Sequence, residues 1–423
     1  SSSPHECYYR TLMLPSYMQP FRFLCAWSTI ISTTITAATV VAEDTCVARG
    51  DCGSAPVGQR HHHWPVARGN WEHYSVSRHK ISANISAKEP SWFWRHPNGR
   101  YSGSGIGGNL IDDKSNIYHM WTDGIRKFSP DGIVLWHYPV GIAHVPSLDG
   151  DAIYGFTYDG FAFAVDLETG KELWKTLITS EGYEDTRGLL GKAEWNASPK
   201  GMGSGICTTG VLGGVLIGPS GASTGPFHGG GSTHVTAVNV TDGKVLWHYH
   251  GDNQLWNFQP HYTGNNTFVF QDQHGGVYHM TLQGKLLWKA GHSGPWCETW
   301  TDGEVMLYDQ TVYAAHSNQY LPYETQKPQD GGDYSAYRLS DGGLLWRWNS
   351  PLVPNSQPVI VRSPLGSGLT VVMPIGQPMG SPGAIRLLSN PSIDGFLKHF
   401  PEMVRLGAIV TLHTLGLWLG DRQ

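Results

Sequence analysis

A glycine followed four residues later by a tryptophan, inside a short apolar run, recurs five times in this 423-residue chain. The segments are Asp131–Trp136, Thr169–Trp174, Asp242–Trp247, Gln283–Trp288 and Asp341–Trp346, and their tryptophans fall 38, 73, 41 and 58 residues apart. Upstream of each lies a strand-like stretch: Ile125–Ser129, Phe161–Leu167, His234–Val240, Val277–Leu282 and Tyr334–Leu339. Glycine turns such as Asp123–Gly124, Asp159–Gly160 and Gly275–Gly276 precede nearly all of these, and further strands precede the turns. Asp-Gly and Gly-Gly supply the φ > 0 positions that tight hairpins need, so each unit reads as a meander of antiparallel strands. Self-similarity at roughly 40 residues, with strands between the repeats, is the signature of an all-β propeller. A single blade cannot bury both faces and must stack on its neighbours. Trp136, Trp174, Trp247, Trp288 and Trp346 supply the largest apolar area for the gap between blades, which predicts equivalent, buried structural positions. Stacking on a ligand is the other role open to any one of them.

The repeat resembles the pyrroloquinoline-quinone (PQQ)-type unit, whose blades end in Asp/Asn–x–x–Thr–Gly–x–x–x–Trp. Asp166–Trp174 matches it in full, and Asn239–Trp247 matches with Asp in place of Thr. The other three copies keep the Gly–x3–Trp half. The resemblance runs from about Pro90 to Phe400. Five blades are explicit, and a sixth, degenerate one is expected from Leu369–Pro374, Ala384–Leu388 and Asp394–His399, with His399 where Trp should stand. Six to seven four-stranded blades fit the span; eight, usual in the family, would need a longer chain. The gap between Trp174 and Trp247 reads as one blade with an inserted loop over Ser180–Gly203. Ser91–Trp94 reads as a last strand without a blade of its own, suited to closing the ring against the C-terminal blade. Gly103–Ile106 and Gly203–Ile206 echo each other just ahead of a blade, where small residues suit inner strands crowding the axis.

The expected organisation is a targeting segment over 1–42, a polar linker over 43–88, the propeller over 89–400 and a divergent tail over 401–423. Phe23–Val41 is an apolar stretch after Arg10 and Arg22, with Ala42 before Glu43-Asp44, which reads as a signal peptide with a long polar start. A disordered or organelle-targeting segment competes with that reading, and membrane contact follows only if 23–41 stays as an uncleaved anchor. The chain begins without Met, so a longer N-terminus is expected. Asn84, Asn196, Asn239 and Asn265 open glycosylation acceptor sequences, and Asn239 is the least favoured because it falls in a hairpin turn. Cys46 and Cys52 could close a small disulfide loop, or remain reduced thiols. These features point to the secretory pathway, the extracellular space or a lumen. A net charge of −5 and no Lys/Arg stripe argue against nucleic acid.

Propellers of the PQQ type divide into two classes. Quinoprotein dehydrogenases hold PQQ over the axis with a calcium or lanthanide ion on carboxylate and amide oxygens, an Asp base and commonly an adjacent-cysteine disulfide. This chain has no adjacent cysteines, and no Glu…Asn…Asp set matches the ligand positions. The other class uses the propeller as a platform for protein contacts. The expectation is therefore a non-catalytic scaffold for a protein or carbohydrate ligand, with no catalytic residues, no metal ligands, no cofactor, and an axis that is filled or featureless. A PQQ- and calcium-dependent alcohol or sugar dehydrogenase is the alternative. Loops Ser180–Gly203 and Ser317–Asp333, which mix aromatic residues with carboxylates, are the candidate contact surfaces. His228, His234, His250 and Asp252 are a further, weak metal candidate, and His61–His63 is read as a surface run in the linker.

Overall fold

A computed structural model describes residues 61–70, 91–97, 108–121, 123–157, 159–178, 208–221, 232–292, 301, 304–318, 331–354, 357–362, 369–375 and 384–389. Its strands fall into six consecutive antiparallel sheets, each ordered as the chain runs, and no helix occurs among the described residues. Blade I comprises β1 (Asn109–Ile111), β2 (Ile117–Trp121), β3 (Gly124–Phe128) and β4 (Val134–Tyr138). Blade II comprises β5 (Ser147–Asp149), β6 (Ala152–Phe156), β7 (Phe161–Asp166) and β8 (Glu172–Leu177). Blade III comprises β9 (Gly210–Leu212), β10 (Val215–Ser220), β11 (Ser232–Asn239) and β12 (Val245–Leu255). Blade IV comprises β13 (His261–Tyr262), β14 (Thr267–Gln271), β15 (Gly276–Thr281) and β16 (Leu286–Gly291). Blade V comprises β17 (Met306–Tyr308), β18 (Thr311–Ser317), β19 (Gly332–Arg338) and β20 (Leu344–Ser350). Blade VI holds β21 (Val359–Arg362), β22 (Leu369–Ile375) and β23 (Ala384–Ser389). Among the described residues the long gap between Trp174 and Trp247 contains one blade, as the sequence indicates.

The middle strands carry the core. Phe161–Asp166 alternates apolar side chains to both faces of its blade, and Phe163, Val165 and Ala164 are fully buried. Successive clusters tie neighbours together: Leu110, Tyr118 and Ile125 of blade I pack with Leu148, Ile153 and Phe163 of blade II. A propeller must bury each blade face against the next, and these clusters are that burial.

The Gly–x3–Trp signature acts across blades rather than within one. Trp136 donates its indole N–H to the carbonyl of Leu167 in blade II (3.1 Å), and Trp174 donates to Val240 in blade III (2.8 Å). Trp247 donates to Leu282 (2.8 Å) and Trp288 to Leu339 (2.7 Å) in the same way. Each ring lies on the glycine of the next repeat. At Gly243, φ is +71° and an added Cβ would stand 2.6 Å from the Trp174 ring, so both conformation and contact require glycine. Only Trp288 is buried, at 8% exposure; Trp136, Trp174, Trp247 and Trp346 are half-buried. The expectation of buried tryptophans therefore holds for Trp288 and is corrected for the other four: the outermost strand is covered by the neighbouring blade on one side and meets solvent at the rim.

A bulge sits beside every one of these tryptophans. Ala164 faces Trp174 while Val165 faces Glu172, which leaves Leu173 without a partner across the ladder. The same skip leaves out Leu135, Leu246, Leu287 and Leu345. An extra residue re-aims the side chains around it, and all five leucines are exposed at the rim.

Residues 91–97 form no strand of a sheet in the structure, yet they treat blade I as any outer strand treats its successor. The Trp92 indole donates to the Pro130 carbonyl (2.9 Å) and its ring lies on Gly132. Trp92, rather than Trp94, is thus the counterpart of the repeat tryptophans, while Trp94 packs edge-on against Phe128. The expected last strand of blade VI, Asp394–His399, lies outside the described residues.

Candidate functional site

The first region where residues from many blades converge is the axis. Residues 61–70, expected to be linker, are part of the folded propeller. Trp64 exchanges both backbone hydrogen bonds with Ile111 of β1 (2.9 and 3.0 Å), and the Pro65 carbonyl accepts from Leu148 N in β5 (2.7 Å). Val66 is fully buried, and Ala67 packs in the core shared by blades I and II. The same segment then reaches the opposite blades. Arg68 Nη2 lies 2.7 Å from Glu304 Oε2, and its Nε donates to Gln259 Oε1 (3.2 Å). With the Gln357 amide turned to satisfy both neighbours, its carbonyl accepts from Arg68 Nη1 (2.7 Å) and its NH2 donates to Glu304 (2.6 Å). Gln259 also donates to Glu304. Gln259, Glu304 and Gln357 each stand two residues before the inner strand of blades IV, V and VI. A segment that touches the inner strands of blades I and II and the approaches to those of IV, V and VI lies on the axis.

This arrangement resolves a charge problem. Glu304 is 8% exposed, and a carboxylate withdrawn from water needs paired and hydrogen-bonded partners. The guanidinium of Arg68 and the amides of Gln259 and Gln357 supply them. His62 anchors the other end of the segment through Gly150 O (3.0 Å), so the central residue of the histidine run is committed to structure.

The second region is the junction of blades IV and V. His292 follows β16, His316 is the penultimate residue of β18, and Asp333 pairs with His316 across β18–β19. His292 Nε2 and His316 Nδ1 each lie 3.0 Å from Asp333 Oδ2. Asp333 Oδ1 accepts from Ser335 Oγ (2.6 Å) and lies 3.5 Å from Arg347 Nε. Burial opposes ionisation of Asp333, but the hydrogen bonds from His292, His316 and Ser335 outweigh it and hold the carboxyl well below its ordinary range. Burial pushes the His316 imidazole down, with the Asp333 hydrogen bond opposing. Among the described residues this is the one cluster of three His, Cys, Asp or Glu side chains whose ligand atoms lie within 4.8 Å of one another.

The residues singled out from sequence fall elsewhere. Of the metal candidates, His234 and His250 face each other across β11–β12 with ring centroids 4.9 Å apart, but Asp252 is paired with Lys289 instead; His228 lies outside the described residues. Asn265 is exposed in the turn between β13 and β14, whereas Asn239 holds the Thr241 amide with its side chain (2.8 Å). Asn84, Asn196, Cys46, Cys52 and the loop interiors 180–203 and 319–330 lie outside the described residues. Sequence reasoning missed Arg68, Glu304, His292, His316 and Asp333. Phasing on the tryptophans would have flagged two of them, because His292 stands four residues after Trp288 and Asp333 thirteen before Trp346.

Residues 183–361 match a family model of PQQ repeats described as outer membrane protein assembly factor BamB. Solved structures similar to this one include BamB from Moraxella catarrhalis, at 13% identity and a TM-score of 0.43, covering 64% of this chain and 70% of that one. A europium-containing methanol dehydrogenase is similar at 12% identity and a TM-score of 0.38, covering 64% of this chain and 73% of that one. Identities this low say nothing about activity. No curated protein matches the sequence. The six sheets and the matched repeats agree on one description: the described residues form a β-propeller, and residues 183–361 match PQQ-type repeats.

Proposed function

We propose that the chain is a non-catalytic propeller scaffold that binds a protein partner through its loops, in the secretory pathway or outside the cell. One observation carries the reading. The axis, over which a quinoprotein holds PQQ and its ion, is occupied by the chain's own Trp64–Gly69 segment, and the buried carboxylate there is neutralised by Arg68. Glu304 is thus committed to a guanidinium and two amides rather than left to receive a cation. The description of the matched family as an assembly factor favours a protein over a carbohydrate ligand. The sequence features of 1–42 and the exposed turn position of Asn265 support passage through the secretory pathway.

The test is to add PQQ and calcium to the purified full chain and follow quinone absorbance together with dye-linked alcohol oxidation. The scaffold reading predicts neither stoichiometric binding nor turnover. Stoichiometric binding with turnover would establish the dehydrogenase instead. For the compartment, treatment of the expressed protein with an N-glycan-removing enzyme is expected to shift its gel mobility. An unshifted band, together with cytosolic fractionation, would refute the secretory assignment.

A further inference from the structure

Two junctions in the molecule share one device, and their difference points to a ligand. Where residues 91–97 meet blade I, His96 Nε2 lies 2.9 Å from Asp123 Oδ2. His96 stands four residues after Trp92 and Asp123 thirteen before Trp136, the offsets that relate His292 and Asp333 to Trp288 and Trp346. At the first junction Arg126 takes both oxygens of the carboxylate, Nη1 to Oδ1 at 2.9 Å and Nη2 to Oδ2 at 2.7 Å. A bidentate guanidinium satisfies a carboxylate completely. At the second junction no arginine among the described residues reaches Oδ2. Both of its neighbours are imidazole nitrogens, and Arg347 stays on the Oδ1 side, 3.5 Å away.

We propose that His292, His316 and Asp333 form a binding site for a divalent transition metal of the zinc class, bridging blades IV and V. Zinc bonds to imidazole nitrogen and carboxylate oxygen are about 2.0–2.2 Å long, which places neighbouring ligand atoms of a tetrahedral shell about 3.3 Å apart. The two N···O separations of 3.0 Å are within a few tenths of an ångström of that. Two nitrogens and one monodentate oxygen suit zinc, cobalt or nickel; calcium requires six to eight oxygens, which are not gathered here. Ser335 supplies the outer-shell hydrogen bond that orients the ligating carboxylate.

His316 is 3% exposed and Asp333 5%, so burial holds two of the three ligands in place. The two imidazoles lie face to face, centroids 3.3 Å apart and planes 6° apart. An ion in the plane of both rings therefore requires one ring to tilt. His292 is the ring free to do so, because it is only half-buried and follows the end of β16. Solvent at that edge would supply the fourth ligand. Since β18 and β19 are joined through residues 318–331, an ion here would also pin the base of that connection.

Cobalt(II) titrated into the full-length protein is the direct probe, read by the visible absorption of four-coordinate cobalt and by competition with zinc. The expected result is one equivalent per chain. His292→Gln, which can keep the hydrogen bond to Asp333 but offers no imidazole, is expected to weaken binding at least tenfold with little change in thermal midpoint. His96→Gln is expected to leave binding unchanged. The proposal is overturned if no stoichiometric binding occurs below millimolar metal, or if His292→Gln and His316→Gln both bind as the parent does. It is equally overturned if the ion is lost on His61→Ala with His63→Ala instead, which would place it on the histidine run.

Discussion

The rim and the axis of this propeller follow opposite rules. At the rim the four junctions from blade I to blade V solve the same problem in the same way: an indole N–H to a carbonyl of the next blade, and an indole face on its glycine. Each blade meets a copy of itself, so one solution serves throughout. At the axis the equivalent position, two residues before each inner strand, holds Val145, Thr208, Gln259, Glu304 and Gln357 in blades II to VI. Gln259, Glu304 and Gln357 among them meet a single segment with no rotational symmetry. Blades IV to VI contribute polar groups because Arg68 points at them, and blade II contributes a backbone N–H because Pro65 passes it. Repetition therefore records packing, and departures from repetition record what each blade touches.

Substitutions at the two regions should separate these rules. Trp288→Ala, at the one repeat tryptophan that is buried, is expected to lower unfolding free energy by about 3–5 kcal/mol. Denaturant melts should show less at Trp136, which is half-buried; equal losses at both would mean that rim exposure does not matter. Arg68→Met comes next, at about 2–3 kcal/mol, because it removes the guanidinium that neutralises buried Glu304. The discount from a fully buried pair reflects the 36% exposure of the Arg68 side chain. Pairing Arg68→Met with Glu304→Gln should recover part of the loss, and strict additivity would show that the two are not coupled. Gly243→Ala should cost about 1–2 kcal/mol, combining a left-handed conformation with the approach of Trp174. Leu345→Ser should fall within about 0.5 kcal/mol, since the bulge already places that side chain in water. A large loss there would mean that the leucine is covered in the folded protein.

The same contrast explains what could be read from the amino acids. The rim was legible because tryptophan and glycine recur in phase, and the middle strands because Phe161–Asp166 and its equivalents alternate. The inner strands were not, since β5, β9 and β13 span only two or three residues and show no period. The bulges were invisible for a related reason: the apolar pair before each tryptophan reads as buried strand until the register skip is seen. Residues 61–70 looked like linker because three histidines and Arg68 dominate their composition. Trp64, Val66 and Ala67 are too few to register as a strand, yet they dock on edges left by β1 and β5. The cluster of His292, His316 and Asp333 was hidden by sequence separation, although its offsets from Trp288 and Trp346 are those of His96 and Asp123 from Trp92 and Trp136.

The claim on which the account turns is that the axis is filled by the chain itself. Amide hydrogen exchange on the intact protein, resolved to individual residues, tests it at four positions. Trp64, Gly69, Ile111 and Leu148 each donate to a carbonyl within or against the axial segment, at 2.9, 2.9, 3.0 and 2.7 Å. The account predicts that Trp64, Ile111 and Leu148 exchange together and as slowly as the middle strands of blades I and II, with Gly69 protected to a lesser degree at the mouth. Exchange at Trp64 and Gly69 at the rate of an unstructured peptide, with Leu148 equally fast, would show an open axis and contradict the account.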